Sequence, residues 1–292
     1  MATSSDVPEP TSSYQVDAEN VAEMARLVRQ ARLLSEHLGL LPADLQLEQK
    51  HAILDIGCGP GEWVLEIAQS LPESQVIGVD ISERMIAYAQ YCALDHGISN
   101  VQFLVMDARQ PFSFPDASFD VIHARFITGF LATATWPVLL RECFRLLRPG
   151  GTICNAEFEE LGITTSPALA QYNHLLIKAA RRAGQCFAPE GDYYGITAVQ
   201  ARLLQEAGFQ HIRQQAHVMN YSAGMLAHNE MYNNFSTFLN LVQPFLVRSG
   251  VTTQENIEIL YARTMEEMQD GGFCAVAFFQ SVWGSKPKED NE

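Results

Sequence analysis

Apolar positions follow two rhythms along this chain, short near-continuous runs and longer stretches at helical spacing. Residues 18–38 place Val21, Met24, Leu27, Leu33 and Leu34 on one helical face. "AILDIG" (52–57) then reads as a first strand, followed by a helix from Glu62 to Gln69. "QVIGVD" (75–80) is a second strand, and Ser82 is suited to cap a helix running to about His96. "VQFLVMD" (101–107) and "FDVIHAR" (119–125) are strands three and four. "VLLRECFRLL" supplies a helix that "RPGG" stops, and "GTICNAEF" (151–158) is strand five. Strands alternating with amphipathic helices predict a parallel sheet covered on both faces.

After residue 160 the alternation breaks. A helical stretch at 167–184 is surplus to the sheet. A helix at 197–209 and the strand "QHIRQQAHVMNY" resume the pattern. Two more helical stretches follow, at about 226–248 and 253–269, the first interrupted by Pro244. "GFCAVAFFQSVW" is the last strand. The expected organisation is a flexible tail (1–16), a sheet core with its N-terminal helix (17–160), a helical insertion (161–196), more core (197–222), a second insertion (223–270), a final strand (271–285) and a tail (286–292). The two insertions are expected to form a cap.

Composition narrows the function. The 292 residues are 47% apolar, enough for a large core, and contain no run long enough to span a membrane. "MATSSDVPEPTSS" lacks the pattern of a secretory signal. Lys+Arg 19 against Asp+Glu 34 gives a net charge of -15, which disfavours a nucleic-acid partner. Six scattered cysteines without a C-x-x-C pair predict reduced thiols in a cytoplasmic protein rather than disulfides or zinc.

"ILDIGCGPGEW" (53–63) carries the chemistry. A dinucleotide loop wants G-x-G-x-x-G, but the glycines are Gly57, Gly59 and Gly61, and Glu62 at the helix start would repel a pyrophosphate. D-x-G-x-G-x-G instead resembles the first motif of the class I S-adenosylmethionine (SAM) methyltransferases. Asp80 at the end of strand two, "MDA" (106–108), "FPDASFDVIHAR" and "LLRPGG" resemble that family's later landmarks, in order. Within the family the chain looks most like small-molecule enzymes of the ubiquinone/menaquinone-biosynthesis type.

The resemblance implies a Rossmann-like, seven-stranded, mostly parallel α/β sheet, and SAM as cofactor with S-adenosylhomocysteine as product. It implies Asp55 near the amino acid end of SAM, with Gly57, Cys58, Gly59 and Gly61 forming the close backbone turn. It puts Asp80 on the ribose hydroxyls, Ile81 and Met85 beside the adenine, and Asp107 with Ala108 at the adenine amino group. Each acid has a plainer reading, Asp80 as a helix cap and Asp107 as a loop acid. Met85 reads equally as helix core, Cys58 as a packing residue and Asp120 as the support of a turn.

Methyl transfer from a sulfonium is an in-line displacement, so a base is needed only for a protonated acceptor. His123, at the end of strand four, is a candidate base or cofactor contact, with a packed histidine as the alternative. Glu157, ending strand five, would accept a proton or hold an amine, or else is a surface acid beside Glu159 and Glu160. Arg125 would bind a substrate carboxylate or pair with a neighbouring acid, and Phe126 follows it toward the substrate. Tyr193 and Tyr194 in "GDYYG" suit a lid or cap packing, and Tyr14 stands where related enzymes fold a lid over the cofactor. "HARFITGF" offers no carboxylates for magnesium, so no metal is expected. The expected partner is a small, largely apolar acceptor methylated on O or N, with C also open. No nucleic acid or membrane is expected, and the chain is read as a monomer or homodimer. The alternatives are a macromolecule (RNA or protein) methyltransferase and a non-catalytic SAM-binding protein.

Overall fold

The apolar runs form the inner strands of one sheet in a computed structural model that describes residues 14–45, 47, 51–189, 191 and 193–288. Its strands are β1 (Ala52–Ile56), β2 (Gln75–Asp80), β3 (Val101–Val105), β4 (Phe119–Arg125), β5 (Leu147–Phe158), β6 (Ile163–Thr164), β7 (Gln210–Asn220) and β8 (Ala275–Ser285). The order runs β3-β2-β1-β4-β5-β8, with β7 also on β8. The first five strands pair in parallel, whereas β8 is antiparallel to β5 and β7. An eighth segment thus appears where seven strands are expected. Both Ile163 of β6 and Asn220 of β7 pair with Val276, so β6 lies on the edge of β8 that β5 occupies. It continues β5 after an interruption, and the sheet remains seven strands wide.

Helices cover both faces. On one side α2 (Glu62–Ser70) and α3 (Glu83–Asp95) pack Val64, Ile67, Ile86 and Ala89 against Ile53, Val76 and Val121. On the other, α4 (Trp136–Leu146) and α6 (Ile196–Glu206) pack Trp136, Leu139 and Leu203 against Leu54, Ile122 and Ile153. Neighbours Ile53 and Leu54 therefore serve opposite cores, which is why the inner strands read as unbroken apolar runs. Each such side chain contributes about 1.5–3 kcal/mol on burial.

The remaining helices build a third core over the end of the sheet. They are α1 (Val21–Leu38), α5 (Pro167–Arg182), α7 (His228–Leu241), α8 (Gln243–Arg248) and α9 (Gln254–Met268). Leu33, Tyr172, Leu176, Phe235, Leu246, Leu260, Ala277 and Phe279 meet there. Asn20 caps α1 by accepting from the amides of Ala22 and Glu23, and Ser82 caps α3 through Met85. The helix expected at 226–248 divides at Val242, and Pro244 sits in the first turn of α8, where no amide donor is required.

Three local expectations are corrected. "RPGG" does end α4, but it already belongs to β5, as an irregularity between the Phe119–Leu147 and Val121–Thr152 pairs. Residues 14–16, assigned to the first tail, are packed: Gln15 and Val16 are buried, and the Gln15 amide donates to Gln185 and to the Tyr194 hydroxyl. Lys286, assigned to the second tail, donates from Nζ to the carbonyls of Phe144 and Leu147 and lies over the Phe144 ring. Residues 1–13 and 289–292 fall outside the described residues.

Gly61 shows how tightly the first turn is set. Its φ is +86°, and a Cβ there would stand 2.7 Å from the Ala89 Cβ and 2.8 Å from the Phe103 ring. Left-handed strain and overpacking act together at this position. Gly61→Ala is expected to lower the unfolding free energy by about 2–5 kcal/mol; a denaturation midpoint equal to that of the parent would refute this account of the turn.

Candidate active site

The C-terminal ends of parallel strands are where a covered sheet leaves room for a ligand. Here β1, β2 and β4 bring Asp55, Asp80 and Arg125 to that edge, and Asp107 follows two residues after β3. They line one cleft of about 1170 Å³, open mouth included, together with Gly57, Cys58, Gly59, Ile81, Met85 and Ala108. Helix α1 forms the opposite wall with Leu27, Ala31 and Leu34.

The glycine loop leaves its middle open. Gly57 has φ +71°, and a Cβ on it would meet the Phe130 ring at 3.3 Å. Gly59 has φ +53°, and the nearest atom to a Cβ would be Leu27 Cδ1 at 3.8 Å. A Cβ on Gly59 would only touch Leu27, and Gly59 itself lines the cleft, so a ligand there would meet its backbone. Gly61 does not line the cleft; it lets α2 start flush against α3. Glu62, the residue unsuited to a pyrophosphate, accepts from Arg32 of α1 at 3.0 Å.

Asp80 is already engaged. One carboxylate oxygen accepts from the Gly59 amide and the other from the Ser82 amide, each at 2.9 Å. Burial raises its pKa above the usual carboxylate range, and these amide bonds oppose the shift. Asp107 takes the guanidinium of Arg109 (Nη2 at 2.8 Å) and its backbone amide at 2.9 Å. Burial opposes ionisation of Asp107, but Arg109 prevails and holds its pKa down.

His123 lies behind the cleft wall. It pairs in register with Asp55 on the neighbouring strand, so both side chains leave the same face. His123 Nδ1 is 2.8 Å from Asp55 Oδ1, and the ring stacks on Trp63 at 3.8 Å. Burial lowers the imidazole pKa despite the Asp55 carboxylate. A neutral ring donating from Nδ1 satisfies both observations. Asp55 and Trp63 line the cleft, whereas His123 is not among its lining residues.

Glu157 is fully buried and accepts from the amides of Ile127 and Thr128. It shapes the turn after β4, where Phe126 adopts φ +58°, and does not reach a cavity as expected of a substrate contact or base. Glu159 similarly holds the start of α6, accepting from the Thr197 amide. The expected tyrosine lid separates into two fates. Tyr194 is buried beneath Gln15, and Tyr193 is exposed outside both cavities. Asp120 is structural, as one reading has it, accepting from the Ala52 amide and Arg148.

A second cavity, about 750 Å³ with its open mouth included, adjoins the cleft. Tyr14, Gln30, Leu34 and Phe126 line both spaces and form the boundary. Its walls include Phe158, Phe235, Phe238, Phe279, Met231 and Leu161. Two polar groups in this region, Glu23 and Arg26, went unread in the sequence. Tyr14 donates to Glu23 Oε1 at 2.7 Å, and Arg26 meets both Glu23 oxygens at 2.6 and 2.7 Å. Burial and the Glu23 carboxylate raise the Tyr14 pKa well above its usual value, so its hydroxyl stays protonated. The i,i+3 spacing of Glu23 and Arg26 was a legible signal for the pair. Its burial was not legible, because nothing local says that α7 covers this face.

Residues 53–151 match the family model described as a methyltransferase domain. The chain is 30% identical over 185 residues to the methyltransferase pytC of Aspergillus terreus, covering 61% of this chain and 51% of that protein. It is 34% identical over 122 residues to a demethylmenaquinone methyltransferase of Lactococcus lactis, covering 41% and 45%. The chain thus spans about half the length of these curated relatives. The fold is similar to Haemonchus contortus phosphoethanolamine N-methyltransferase 2, solved with phosphomonomethylethanolamine and S-adenosylhomocysteine. The TM-score is 0.55 at 17% identity, covering 92% of this chain and 59% of that one.

The raised pKa of Asp80 has a consequence for ligand binding. A protonated carboxyl loses acceptor capacity, so SAM affinity should fall on acidification at a pH above the range in which an ordinary aspartate titrates. Asp80→Asn is expected to weaken SAM binding by about 1–3 kcal/mol at neutral pH and to flatten that acid dependence. Calorimetric titration of both proteins between mildly acidic and neutral pH checks it; parallel curves would remove Asp80 as the titrating group.

Proposed function

We propose that this chain is a class I SAM-dependent methyltransferase that moves a methyl group onto an oxygen or nitrogen atom, with carbon also open, of a small, largely apolar acceptor. The observation that carries this reading is the junction of an acid-lined cleft with an aromatic chamber across Tyr14, Gln30, Leu34 and Phe126. The cleft fits SAM in its donor set, with carboxylates at the ends of β1, β2 and β3 and Gly59 in its lining. When bound, SAM supplies an activated methyl group on a sulfonium.

In this reading Asp55 faces the ammonium, and Arg125 serves the carboxylate of the same amino acid end. Asp80 accepts from the ribose hydroxyls. Asp107, kept ionised by Arg109, accepts from the adenine amino group, with Ile81 and Met85 flanking the ring. The backbones of Gly57, Cys58, Gly59 and Ala108 complete the surface. His123 positions Asp55 rather than acting as a base.

Rate enhancement then comes from alignment and exclusion of water. Helix α1 and the Tyr14–Val16 segment lie over the junction, and Ser82 Oγ donates to the Ala18 carbonyl at 3.1 Å to hold that segment beside the cleft. A chamber enclosed between α1, α7 and β8 favours a small molecule over RNA or protein. The demethylmenaquinone methyltransferases among the relatives agree with such an acceptor. Six unpaired cysteines favour a reducing compartment, hence the cytoplasm.

Incubation with methyl-labelled SAM and pools of phenols, amines, bulk RNA and bulk protein should place label only in a small-molecule pool. Label confined to RNA or protein would overturn the acceptor class, and SAM bound without transfer to any pool would overturn the activity. His123→Ala is expected to weaken SAM binding by about 1–3 kcal/mol, because Asp55 loses its buried donor. An unchanged constant with a slowed methyl-transfer step would return His123 to a direct chemical role.

A further inference from the structure

The chamber beside the cleft has walls specific enough to say what it rejects. Arg26 is the one cation lining it among the described residues, and its five donors are all taken. Nε and Nη2 meet the two oxygens of Glu23, Nη1 meets Asn234 Oδ1 at 2.9 Å and Gln30 Oε1, and Nη2 also faces the Tyr14 hydroxyl at 3.5 Å. One face of the guanidinium covers the Phe238 ring, with Cζ 5.3 Å from its centre. Glu23 has no exposed surface, so an incoming anion could claim Arg26 only by stranding a buried carboxylate. The acid in the lining is Glu160, which accepts from the Asn173 amide at 3.2 Å and offers an anion no donor. Five phenylalanines, Phe126, Phe158, Phe235, Phe238 and Phe279, stand in the remaining wall among aliphatic side chains.

We propose that this chamber is the acceptor site and that it takes an apolar, ring-bearing acceptor without a carboxylate or phosphate group, the neutralised Arg26 acting as a barrier to anionic analogues. The proposal rests on the methyltransferase reading above. The Glu23–Arg26 pair is a positioning device: it fixes α1 against Asn234 of α7, and so fixes the chamber roof, while removing the one positive charge that would select an anion. A phosphorylated amine, although small enough, finds no partner here for its phosphate. Neutral amines and weakly acidic hydroxyls on an aromatic frame meet rings, aliphatic side chains, the amides of Gln15, Gln30 and Asn234, the Tyr14 hydroxyl and the Glu160 carboxylate, none of which requires a negative charge on the ligand. The reacting atom then lies toward Tyr14 and Phe126, where the two spaces join.

The test uses matched pairs that differ by one charge, such as 2-naphthol against 3-hydroxy-2-naphthoate and 2-naphthylamine against its 3-carboxylate. Binding is measured by calorimetry on the full chain saturated with S-adenosylhomocysteine, so no turnover is needed. The neutral member should bind at least tenfold more tightly in each pair. Glu23→Gln, which leaves Arg26 with an uncompensated charge, should shrink that ratio to about threefold or less by strengthening the anionic member. Equal or tighter binding of the carboxylates by the parent protein would overturn the proposal, as would no binding of any member. If Glu23→Gln does not fold, the parent protein's ratios decide alone, and Glu160→Gln provides the second variant, expected to narrow the ratio in the same direction. A separate assay of methyl transfer distinguishes the two readings. Neutral members that bind but are never methylated, with SAM bound, count against the enzyme reading and leave the charge selectivity standing. Methylation confined to the anionic members overturns the charge selectivity alone.

Discussion

The carboxylate of Asp80 joins the turns after β1 and β2, beside the bonds that the Gly57 and Cys58 amides donate to the Val79 carbonyl. It accepts from Gly59 in the loop after β1 and from Ser82 in the turn after β2, so one buried group sets both walls of the cleft. Burying a carboxylate is costly unless donors compensate, and here the donors are backbone amides that have no strand partner to bond. The turn can come this close because the packing behind it is made of glycines. A Cβ on Gly78 would stand 2.9 Å from Cys58 Sγ, and one on Gly61 would strike Ala89 and Phe103. The acid and the small residues are thus one constraint seen from two sides.

A second buried charge organises the roof. Glu23 and Arg26 are paired on α1, with exposures of 0% and 3%, and the pair reaches Tyr14 in the N-terminal segment and Asn234 on α7. Such a pair adds little net stability against an apolar substitute, but removing one partner leaves an unpaired charge. Its value here is geometric, since it holds three separate pieces of chain around one space. Gln15 does similar work through neutral bonds to Gln185 and Tyr194. In the region after residue 160, α7 lines the cavity over the end of the sheet, and α5, α8 and α9 pack in the core behind it.

His123 and Glu157 show why the residue types at the strand ends were readable and their roles were not. Both sit where a catalytic group would be sought. Asp55 intercepts one and the amides of Ile127 and Thr128 intercept the other. Conversely, Arg26 and Glu23 look like an ordinary surface pair on an amphipathic helix, and only the arrival of α7 buries them. A side chain's neighbours along the chain do not say which strand lies beside it.

What the sequence determined by itself was everything governed by local periodicity and backbone demand. The alternation of apolar runs with helical stretches specified the inner sheet, because strands covered on both faces must be apolar throughout. The glycines at 57, 59 and 61 specified a tight turn, because their positive φ values are costly for other residues. The acids at 55, 80 and 107 specified the polar edge of the cleft. Only the tertiary structure decided strand neighbours, and with them the Asp55–His123 contact, the continuation of β5 as β6, and the burial of Glu157. It also decided that Gln15 and Val16 enter the core and that α1 and α7 meet over an aromatic chamber. Those outcomes depend on pairing and packing between segments far apart in the chain, and periodicity along the chain does not encode which segments will meet.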